Sequence, residues 1–263
     1  MSKDTLLRKL LLHPEARHLD LDSPQATEVH ARLIREKKFL NQLYRRYYSD
    51  FETAYRLSPP GRPLEIGAGG GFLEAFIPDI LKIDVRPGAD VDFVASALDL
   101  PFADSSVSAI FMLNVLHHLK EPSHFFEEAS RVLSPNGRVL MIEPYVSWLS
   151  RQIYGKLHHE PFDPNTKEWR LPEGGPLSSA NDALPWVIFV RDRARFETLF
   201  PKMQILRIQP HTALLYLLSG GLSMRSFVPG IAFNPLFTVE KSIGSLMRYL
   251  GSMMTIELTR VPS

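Results

Sequence analysis

The stretch that most constrains this chain is "RPLEIGAGGGFLEAF", residues 62–76. A short apolar run ends in a loop with four glycines, Gly67, Gly69, Gly70 and Gly71, before apolar residues resume. Glycine has no side chain, so its backbone adopts conformations that other residues avoid and lets a ligand come close. Two glycines would be explained by a tight turn, whereas four directly after a strand predict a loop that binds a ligand.

From residue 63 to 144, short apolar runs alternate with segments of helical periodicity. This pattern predicts strands at 64–66, 81–85, 91–94, 107–113 and 138–143, and helices at 72–77 and 122–132. The alternation favours an α/β fold, in which a doubly wound, mostly parallel sheet carries helices on both faces. The turn after the first strand of such a sheet lies at the carboxyl edge, where ligands bind.

The flanking regions differ from this alternating core. Residues 24–57 repeat apolar side chains at helical spacing after Ser23 and Pro24, which predicts one long helix with a capped first turn. Its apolar face predicts either a lid over the ligand or packing against the sheet. We expect an N-terminal helical extension over 1–60, a domain over 61–263 with insertions at about 145–185 and 209–252, a helix at 191–200, and strands at 203–208 and 253–261.

The composition excludes several classes of site. The sequence contains no cysteine, which excludes disulfides, thiolate metal ligands and a cysteine nucleophile. The net charge of +1 gives no argument for nucleic acid, and the short basic and aromatic stretch "NQLYRRYYSDF" does not change that. The N-terminal apolar run is too short for a secretory signal, and no run of about 18 apolar residues predicts a spanning helix. We therefore expect a cytoplasmic protein.

The spacing of the loop is E-x-G-x-G-x-G, formed by Glu65, Gly67, Gly69 and Gly71. A dinucleotide fingerprint would require a glycine at position 72, where this chain has Phe72. The spacing resembles that of class I S-adenosylmethionine-dependent methyltransferases. The stretches "ALDLPFADSSVSAIFMLNVLHHL" and "EEASRVLSPNGRVLMIEP" resemble the subgroup that includes enzymes of ubiquinone and menaquinone biosynthesis. The resemblance implies a seven-stranded sheet of order 3-2-1-4-5-7-6 with an antiparallel seventh strand, and a helical lid.

The resemblance also implies which residues bind S-adenosylmethionine. The glycine loop would hold the methionyl part, Glu65 would orient the loop and the amino group, and Asp84 would accept hydrogen bonds from the ribose. Ser96 stands where the family usually has an aspartate for the adenine amino group, and a hydroxyl is a weaker acceptor than a carboxylate. The predicted cofactor-binding residues are Glu65, Gly67, Ala68, Gly69, Gly71, Asp84, Val85, Ser96, Ala97, Asn114 and His117.

Histidines are the candidates for chemistry, because a base is needed where the methyl acceptor must lose a proton. His117 follows the fourth strand, and the related position commonly faces the methyl-transfer cavity, although both His117 and His118 could simply pack the following turn. His158 and His159 lie in the irregular 145–185 segment and could line the acceptor pocket. Together with Glu160 they could ligate a metal, but adjacent histidines rarely converge on one ion, so we predict catalytic roles for His117, His158 and His159 and no metal.

These observations lead to one main hypothesis and two alternatives. We expect an S-adenosylmethionine-dependent methyltransferase that acts on a small-molecule or lipid-like acceptor and binds no nucleic acid. A non-catalytic cofactor-binding protein with a regulatory or scaffold role is the alternative, and Phe72 opposes an NAD oxidoreductase. The apolar insertion at 209–252, with Arg225, Lys241 and Arg248, could roof the pocket, contact a membrane surface, or form a homodimer interface.

Overall fold

The computed structural model describes residues 11–17, 19–154, 160–175 and 177–262. Within these ranges seven strands form one sheet of order β3-β2-β1-β4-β5-β7-β6. The strands are β1 Arg62–Ile66, β2 Leu81–Asp84, β3 Phe93–Val94, β4 Val107–Leu113, β5 Leu133–Pro144, β6 Met203–His211 and β7 Met253–Arg260. β7 is antiparallel to both of its neighbours, and the other pairs are parallel. The predicted fold class and strand order are therefore confirmed.

Helices cover both faces of this sheet, which creates two separate apolar cores. The helices are α1 Pro24–Glu36, α2 Lys38–Arg56, α3 Pro122–Val132, α4 Trp148–Tyr154, α5 Leu184–Trp186, α6 Arg193–Leu199, α7 Leu215–Ser219, α8 Phe233–Ile243 and α9 Met247–Leu250. Shorter turns of 3-10 helix are Pro14–Ala16, Leu73–Ala75, Leu116–His118, Gly230–Ala232 and Gly244–Leu246, and Val187–Arg191 is a π-helical turn. Among the helices described, none is long and apolar enough to cross a membrane.

The burial of each strand explains why the apolar runs were readable in the sequence. The first six residues of β4 are buried on both faces, as expected for a central parallel strand between two helical layers. β6 mixes buried and exposed positions and lies at the edge of the sheet, where Pro210 is tolerated. Burial is therefore deepest in the middle of the sheet.

The predicted long helix at 24–57 is two helices, which corrects the sequence interpretation. The break falls at Lys37, whose backbone leaves the helical region. The Lys37 side chain is buried, and its Nζ donates to the carbonyl oxygens of Gly221 and Met224 at 2.5 and 2.8 Å. Burial lowers the pKa of Lys37 to about 8. Ser23 precedes α1 but makes no side-chain capping bond.

Three other elements also differ from their predicted bounds. The predicted helix at 72–77 is only the 3-10 turn Leu73–Ala75, and the third strand is only two residues long. The predicted turn "SPNG" lies inside β5, where the pairing with β4 shifts register and Asn136 has a φ of 64°. An asparagine tolerates this left-handed conformation better than most residues, so the loop can protrude without ending the strand.

The N-terminal helices and the 209–252 insertion form one layer over one sheet face. α2 packs against β5 and also against α7, α8 and the turn Gly230–Ala232. Its aromatic side chains Phe39, Tyr47, Tyr48 and Phe51 are almost completely buried there. The extension is thus part of the core, and it also reaches the carboxyl edge of the sheet.

Candidate active site

A cavity of about 620 Å³ opens at the carboxyl edge of the sheet. All eleven residues that were predicted to bind the cofactor line this cavity. They come from the loops after β1, β2, β3 and β4, which meet at this edge because parallel strands end on the same side. The structure therefore brings the predicted set together in one place.

The glycine loop forms one wall of the cavity. The amide groups of Gly67 and Ala68 donate to the carbonyl oxygen of Ile83, which ties the loop to β2. Gly67 and Gly69 have φ values of 68° and 49°, in the left-handed region that favours glycine. A side chain at Gly67 would collide with Val115, whereas one at Gly69 would meet, among the described residues, only the Gly67 oxygen at 3.7 Å. Gly69 therefore faces open space in the cavity.

Glu65 lies under this loop as a buried carboxylate. Its side chain is 3% exposed, and within the described part of the chain its Oε2 has no hydrogen-bond partner. Burial, followed by the nearby charge of Glu74, raises the pKa of Glu65 to about 8. A buried acceptor without a partner is costly. The position is thus suited to a cationic group that enters the cavity.

The N-terminal extension contributes to the same wall through Tyr48. The amide of Phe72 donates to Tyr48 Oη at 3.4 Å, and a side chain at Gly71 would collide with this hydroxyl. Tyr44 and Tyr48 both line the cavity, and the rings of Tyr48 and Phe72 meet edge to face with centroids 4.9 Å apart. The extension therefore supports the glycine loop from outside.

Asp84, at the end of β2, holds the loop and the N-terminal segment together. Its Oδ2 accepts from the amide of Gly69 at 3.1 Å, and its Oδ1 accepts from the amide of Arg86 at 3.0 Å. The Arg86 guanidinium donates to the carbonyl oxygens of Leu21 and Ser23. Each carboxylate oxygen keeps further lone-pair capacity. Asp84 can thus fix the loop and still accept from a ligand.

Ser96 and its neighbours, in the loop after β3, also line the cavity. Ser96 Oγ accepts a hydrogen bond from the amide of Leu98 at 3.1 Å, so the hydroxyl already takes part in a hydrogen bond within its own turn. Asp99 is exposed and is not among the residues that line the cavity. Val85 and Ala97, also predicted for the cofactor, provide apolar surface next to it.

The opposite end of the cavity is built around His117. Its Nδ1 bonds to Glu143 Oε2 at 2.6 Å, and its Nε2 lies 3.6 Å from Glu160 Oε2 and 3.7 Å from Asp182 Oδ1. Asn114 begins this turn with a φ of 57°, and its amide donates to Ile142. Glu143 is completely buried. The cluster is therefore rigid and rich in carboxylates.

The surroundings of the two adjacent imidazoles shift their pKa values in opposite directions. Burial alone lowers the pKa of His117, but the charge and hydrogen bond of Glu143, with Glu160 and Asp182, hold it well above the ordinary value. Burial and the neighbouring charge of His117 lower the pKa of His118 to about 4. The surrounding carboxylates thus favour the protonated form of His117, while burial and the His117 charge favour the neutral form of His118.

The irregular 145–185 segment brings carboxylates to this cluster by backbone hydrogen bonds. The amide of Asn181 donates to the carbonyl oxygen of His117 at 3.0 Å, and that of Asp182 donates to Pro161 at 3.0 Å. Glu160 and Asp182 both line the cavity. The predicted catalytic residues His158 and His159 lie outside the described residues.

Both insertions also close the cavity. Ile153, Tyr154 and Leu177 from the first and Tyr216, Leu217 and Leu222 from the second are among the lining residues. Asp22, next to the N-terminal helices, accepts from the amides of Leu177 and Ser178. The N-terminal segment and the two insertions therefore meet across the opening.

Sequence reasoning missed Glu143, Asp182, Arg86 and Tyr48. Glu143 alone carried a readable signal, because it is an acidic residue at the carboxyl end of the buried strand next to β4. Asp182 reaches the cavity only through the path of a long loop. Tyr48 looked like ordinary helix packing, since its position depends on how α2 crosses the sheet.

Comparison with known proteins gives partial sequence matches. Residues 64–141 match the family model of a methyltransferase domain. An uncharacterised methyltransferase from Mycobacterium sp. (strain KMS) is 33% identical over 114 residues, 38% of this chain and 44% of that protein. Demethylmenaquinone methyltransferase from Paenarthrobacter aurescens (strain TC1) is 40% identical over 65 residues, 24% of this chain and 26% of that protein. The match thus spans less than half the length of these curated relatives.

A solved S-adenosylmethionine-dependent methyltransferase from Thermotoga maritima is similar in fold. It covers 89% of this chain and 99% of its own, with a TM-score of 0.50 and 15% sequence identity. At this identity the likeness concerns the fold alone. The family model, together with the fold, confirms the resemblance read from the sequence.

Proposed function

We propose, on the premise that residues 64–141 are a methyltransferase domain of the class I S-adenosylmethionine-dependent type, that this protein binds S-adenosylmethionine and methylates a small-molecule or lipid-like acceptor. The observation that carries the proposal is Glu65 Oε2, which has no hydrogen-bond partner among the described residues and is buried beneath a glycine loop that borders the cavity. The ammonium of the cofactor's amino acid end is a cation of the size and sign that this carboxylate requires. A pyrophosphate has neither a donor hydrogen nor a positive charge to offer this oxygen.

The other groups of the cofactor also have fitting partners. Asp84 offers lone pairs to the ribose hydroxyls, and Val85, Ala97 and Leu98 offer an apolar surface for adenine. A dinucleotide fits less well, because the loop is followed by the single turn Leu73–Ala75, whereas a pyrophosphate site uses the N-terminus of a longer helix. The bound cofactor supplies an electrophilic methyl group on a sulfonium.

The acceptor would occupy the end of the cavity near His117. Apolar side chains are also part of the cavity wall, with Leu113, Ile153, Leu217 and Leu222 among the lining residues. The protein's contribution to methyl transfer is mainly to hold the nucleophile in line with the methyl group and to exclude water. The Asp182 carboxylate, which also lines the cavity, would receive a proton from the acceptor.

Calorimetric titration tests the cofactor proposal. We expect S-adenosylmethionine and S-adenosylhomocysteine to bind with micromolar dissociation constants, the range usual for metabolic ligands, and NAD neither to bind nor to compete. Binding of NAD at equal concentration would revive the dinucleotide hypothesis. Cofactor binding without methyl transfer to any of a panel of apolar hydroxyl, thiol and amine acceptors would instead favour the scaffold role.

We also propose that the second insertion contacts an anionic membrane surface. Its exposed side chains include Ile231, Val239 and Leu246, which are 87%, 59% and 54% exposed. Arg225, Lys241 and Arg248 are exposed as well. Glu240 is the one acidic residue between 212 and 251, and it is buried where it accepts from the amides of 213–215. Apolar side chains beside exposed cations suit anionic headgroups.

Vesicle sedimentation tests this surface. We expect binding to vesicles that contain phosphatidylglycerol and not to pure phosphatidylcholine, and loss of binding in the double variant Lys241→Glu and Arg248→Glu. The double variant Arg56→Glu and Lys202→Glu makes the same charge change at exposed positions outside the insertion and should bind normally. A protein that ignores vesicles and runs as a dimer dissociated by Ile231→Ser would show that the insertion is an interface between copies.

A further inference from the structure

Three possible metal ligands converge at the acceptor end of the cavity. Ligand atoms of His117, His118 and Glu160 all lie within 4.8 Å of one another. His117 Nε2 is 3.6 Å and His118 Nε2 is 4.0 Å from the same oxygen, Glu160 Oε2. His117 is buried and the other two are partly buried, so the group lies inside the cavity wall rather than on an outer surface.

The partners of the two imidazoles orient their Nε2 atoms toward this point. His117 Nδ1 contacts a carboxylate oxygen of Glu143 at 2.6 Å, and His118 Nδ1 contacts the backbone oxygen of Ser179 at 3.2 Å. Carboxylate and carbonyl oxygens only accept, so both Nδ1 atoms carry hydrogen. Donation from the far nitrogen to a carboxylate or carbonyl is the outer-shell arrangement of histidines that bind metals.

Backbone hydrogen bonds hold Glu143 in the position from which it orients His117. Its Oε1 accepts from the amides of Val115 and Leu116, both at 2.8 Å, and the side chain is fully buried. Its Oε2 is therefore fixed against His117. A proton on His117 Nε2 would satisfy one contact with Glu160, whereas a divalent cation would bind His117, His118 and Glu160 together.

We propose that His117, His118 and Glu160 bind a divalent transition-metal ion of the zinc type. Two imidazole nitrogens and one carboxylate are a donor set for Zn²⁺, Co²⁺ or Fe²⁺, and they disfavour Mg²⁺ and Ca²⁺, which prefer oxygen ligands. In a tetrahedral site with metal–ligand bonds of about 2.0–2.1 Å, the ligand atoms lie about 3.4 Å from one another. The observed 3.6 and 4.0 Å to Glu160 Oε2, and the upper bound of 4.8 Å on all separations within the group, mean that the ligands would draw closer together around a bound ion. Three protein ligands leave a position open to the cavity.

The role of this ion, unlike its binding, rests on the proposed methyl transfer. An acceptor hydroxyl or thiol at the open position would lose its proton more easily, because a metal ion lowers the pKa of a bound oxygen or sulfur. The proton would pass to the Asp182 carboxylate, whose Oδ1 is 3.7 Å from His117 Nε2. The acceptor atom would then bond to the methyl carbon as the carbon–sulfonium bond breaks, with that electron pair returning to sulfur.

Metal titration of the full chain tests the site without any cofactor. After removal of bound metal with a chelator, we expect one Zn²⁺ per chain by calorimetry, visible absorption bands with Co²⁺, and no binding of Mg²⁺ at equal concentration. His118→Asn and Glu160→Gln should each weaken Zn²⁺ binding at least about 100-fold, and Glu143→Gln about 10- to 100-fold through lost orientation of His117. His124→Asn, at an exposed histidine of α3, is the matched control and should bind Zn²⁺ normally.

S-adenosylmethionine binding by the same variants separates this proposal from the proposed function. We expect His118→Asn to bind the cofactor like the parent chain, which also shows that it folds. If the parent chain does not bind Zn²⁺, the metal site is overturned even where cofactor binding is intact. The same holds if His118→Asn and Glu160→Gln both bind Zn²⁺ as tightly as the parent. Zn²⁺ binding without any cofactor binding leaves the metal site standing and refutes the proposed function instead.

Discussion

The two ends of the cavity are built over very different distances in the chain. At the cofactor end, Gly69 bonds to Asp84 across 15 positions, and the participating loops follow successive strands. At the acceptor end, His118 meets Ser179 across 61 positions. Loops that one motif encodes therefore form most of the first end, although Arg86 also reaches Leu21 across 65 positions there, whereas the second depends on how a long insertion packs. We expect substitutions at the first end to act on the cofactor and substitutions at the second to act on the acceptor.

The largest expected effect is at the centre of the glycine loop. Gly69→Val would fill open space in the cavity and force a β-branched residue into a left-handed backbone. We expect S-adenosylmethionine binding to fall at least about 100-fold, because backbone approach and loop conformation are both lost. Calorimetric titration measures the affinity, and circular dichroism verifies folding.

Gly244→Val provides the matched control for backbone strain. Gly244 has a φ of 55°, and a side chain there would meet nothing within 4 Å, but it does not line the cavity. We expect similar loss of thermal stability in the two variants and loss of cofactor binding only at position 69. Equal cofactor affinities in the two folded variants would contradict the assignment of the loop.

The next effect is at the end of β2. Asp84→Ala removes the acceptor for the amides of Gly69 and Arg86 and for the expected ribose hydroxyls. We expect cofactor binding to weaken by about 1.5–3 kcal/mol, the scale of hydrogen bonds to a charged group. Asp79→Ala changes an exposed aspartate near β2 and should have no effect. Calorimetric titration of each variant with the cofactor is the measurement. An unchanged cofactor affinity in Asp84→Ala would exclude the role of Asp84 in binding the ribose.

A smaller effect with a distinctive pH dependence is expected at Glu65. With a pKa of about 8, Glu65 is mostly protonated at pH 7, and an ammonium ligand would require the ionised form. Cofactor binding at pH 7 should therefore release about one proton from this site and tighten as the pH rises toward 8. Calorimetry in buffers of different ionisation enthalpy counts the protons.

Glu65→Gln isolates this linkage. The variant should bind S-adenosylmethionine about tenfold more weakly than the parent. The loss is no larger because, in the parent, the cost of ionising Glu65 offsets part of its attraction for the ammonium group. Because burial raises the folded-state pKa, Glu65 favours folding at low pH, and that contribution is lost as the pH rises from the unfolded value toward 8. The melting temperature of Glu65→Gln should thus fall less between pH 6 and 9. Equal proton release in both proteins would rule out Glu65 as its source.

The smallest expected effect on the cofactor comes from the second insertion. Leu217 is half-buried in the cavity wall, so Leu217→Ser should raise the KM for an apolar acceptor about fivefold, the loss of part of a buried leucine. The dissociation constant of S-adenosylmethionine should change less than about twofold, since no hydrogen bond at Glu65 or Asp84 is affected. Leu214→Ser, at a neighbouring residue that is 43% exposed and does not line the cavity, is the control. A cofactor effect as large as the acceptor effect would show that the two ends are coupled.

The sequence by itself determined the parallel sheet and the glycine loop with Glu65 and Asp84, whereas the strand order came from the family resemblance. These features are readable because buried parallel strands are continuous apolar runs, and because left-handed backbone next to a ligand requires glycine at fixed positions. Element bounds were less accurate where tertiary contacts decide them. The helix breaks at Lys37, whose side chain donates to the carbonyl oxygens of Gly221 and Met224. These residues lie 184 and 187 positions further along the chain.

Only the tertiary structure decided what surrounds His117. The dipeptide His117–His118 was visible in the sequence, but its partners Glu143, Glu160 and Asp182 come from a neighbouring strand and from a long irregular segment. Such loops follow no period, and their course is set by single backbone hydrogen bonds such as that from Asn181 to His117. The burial of those carboxylates, and hence the charge that shifts the pKa of His117 upward, exists only once the chain has folded.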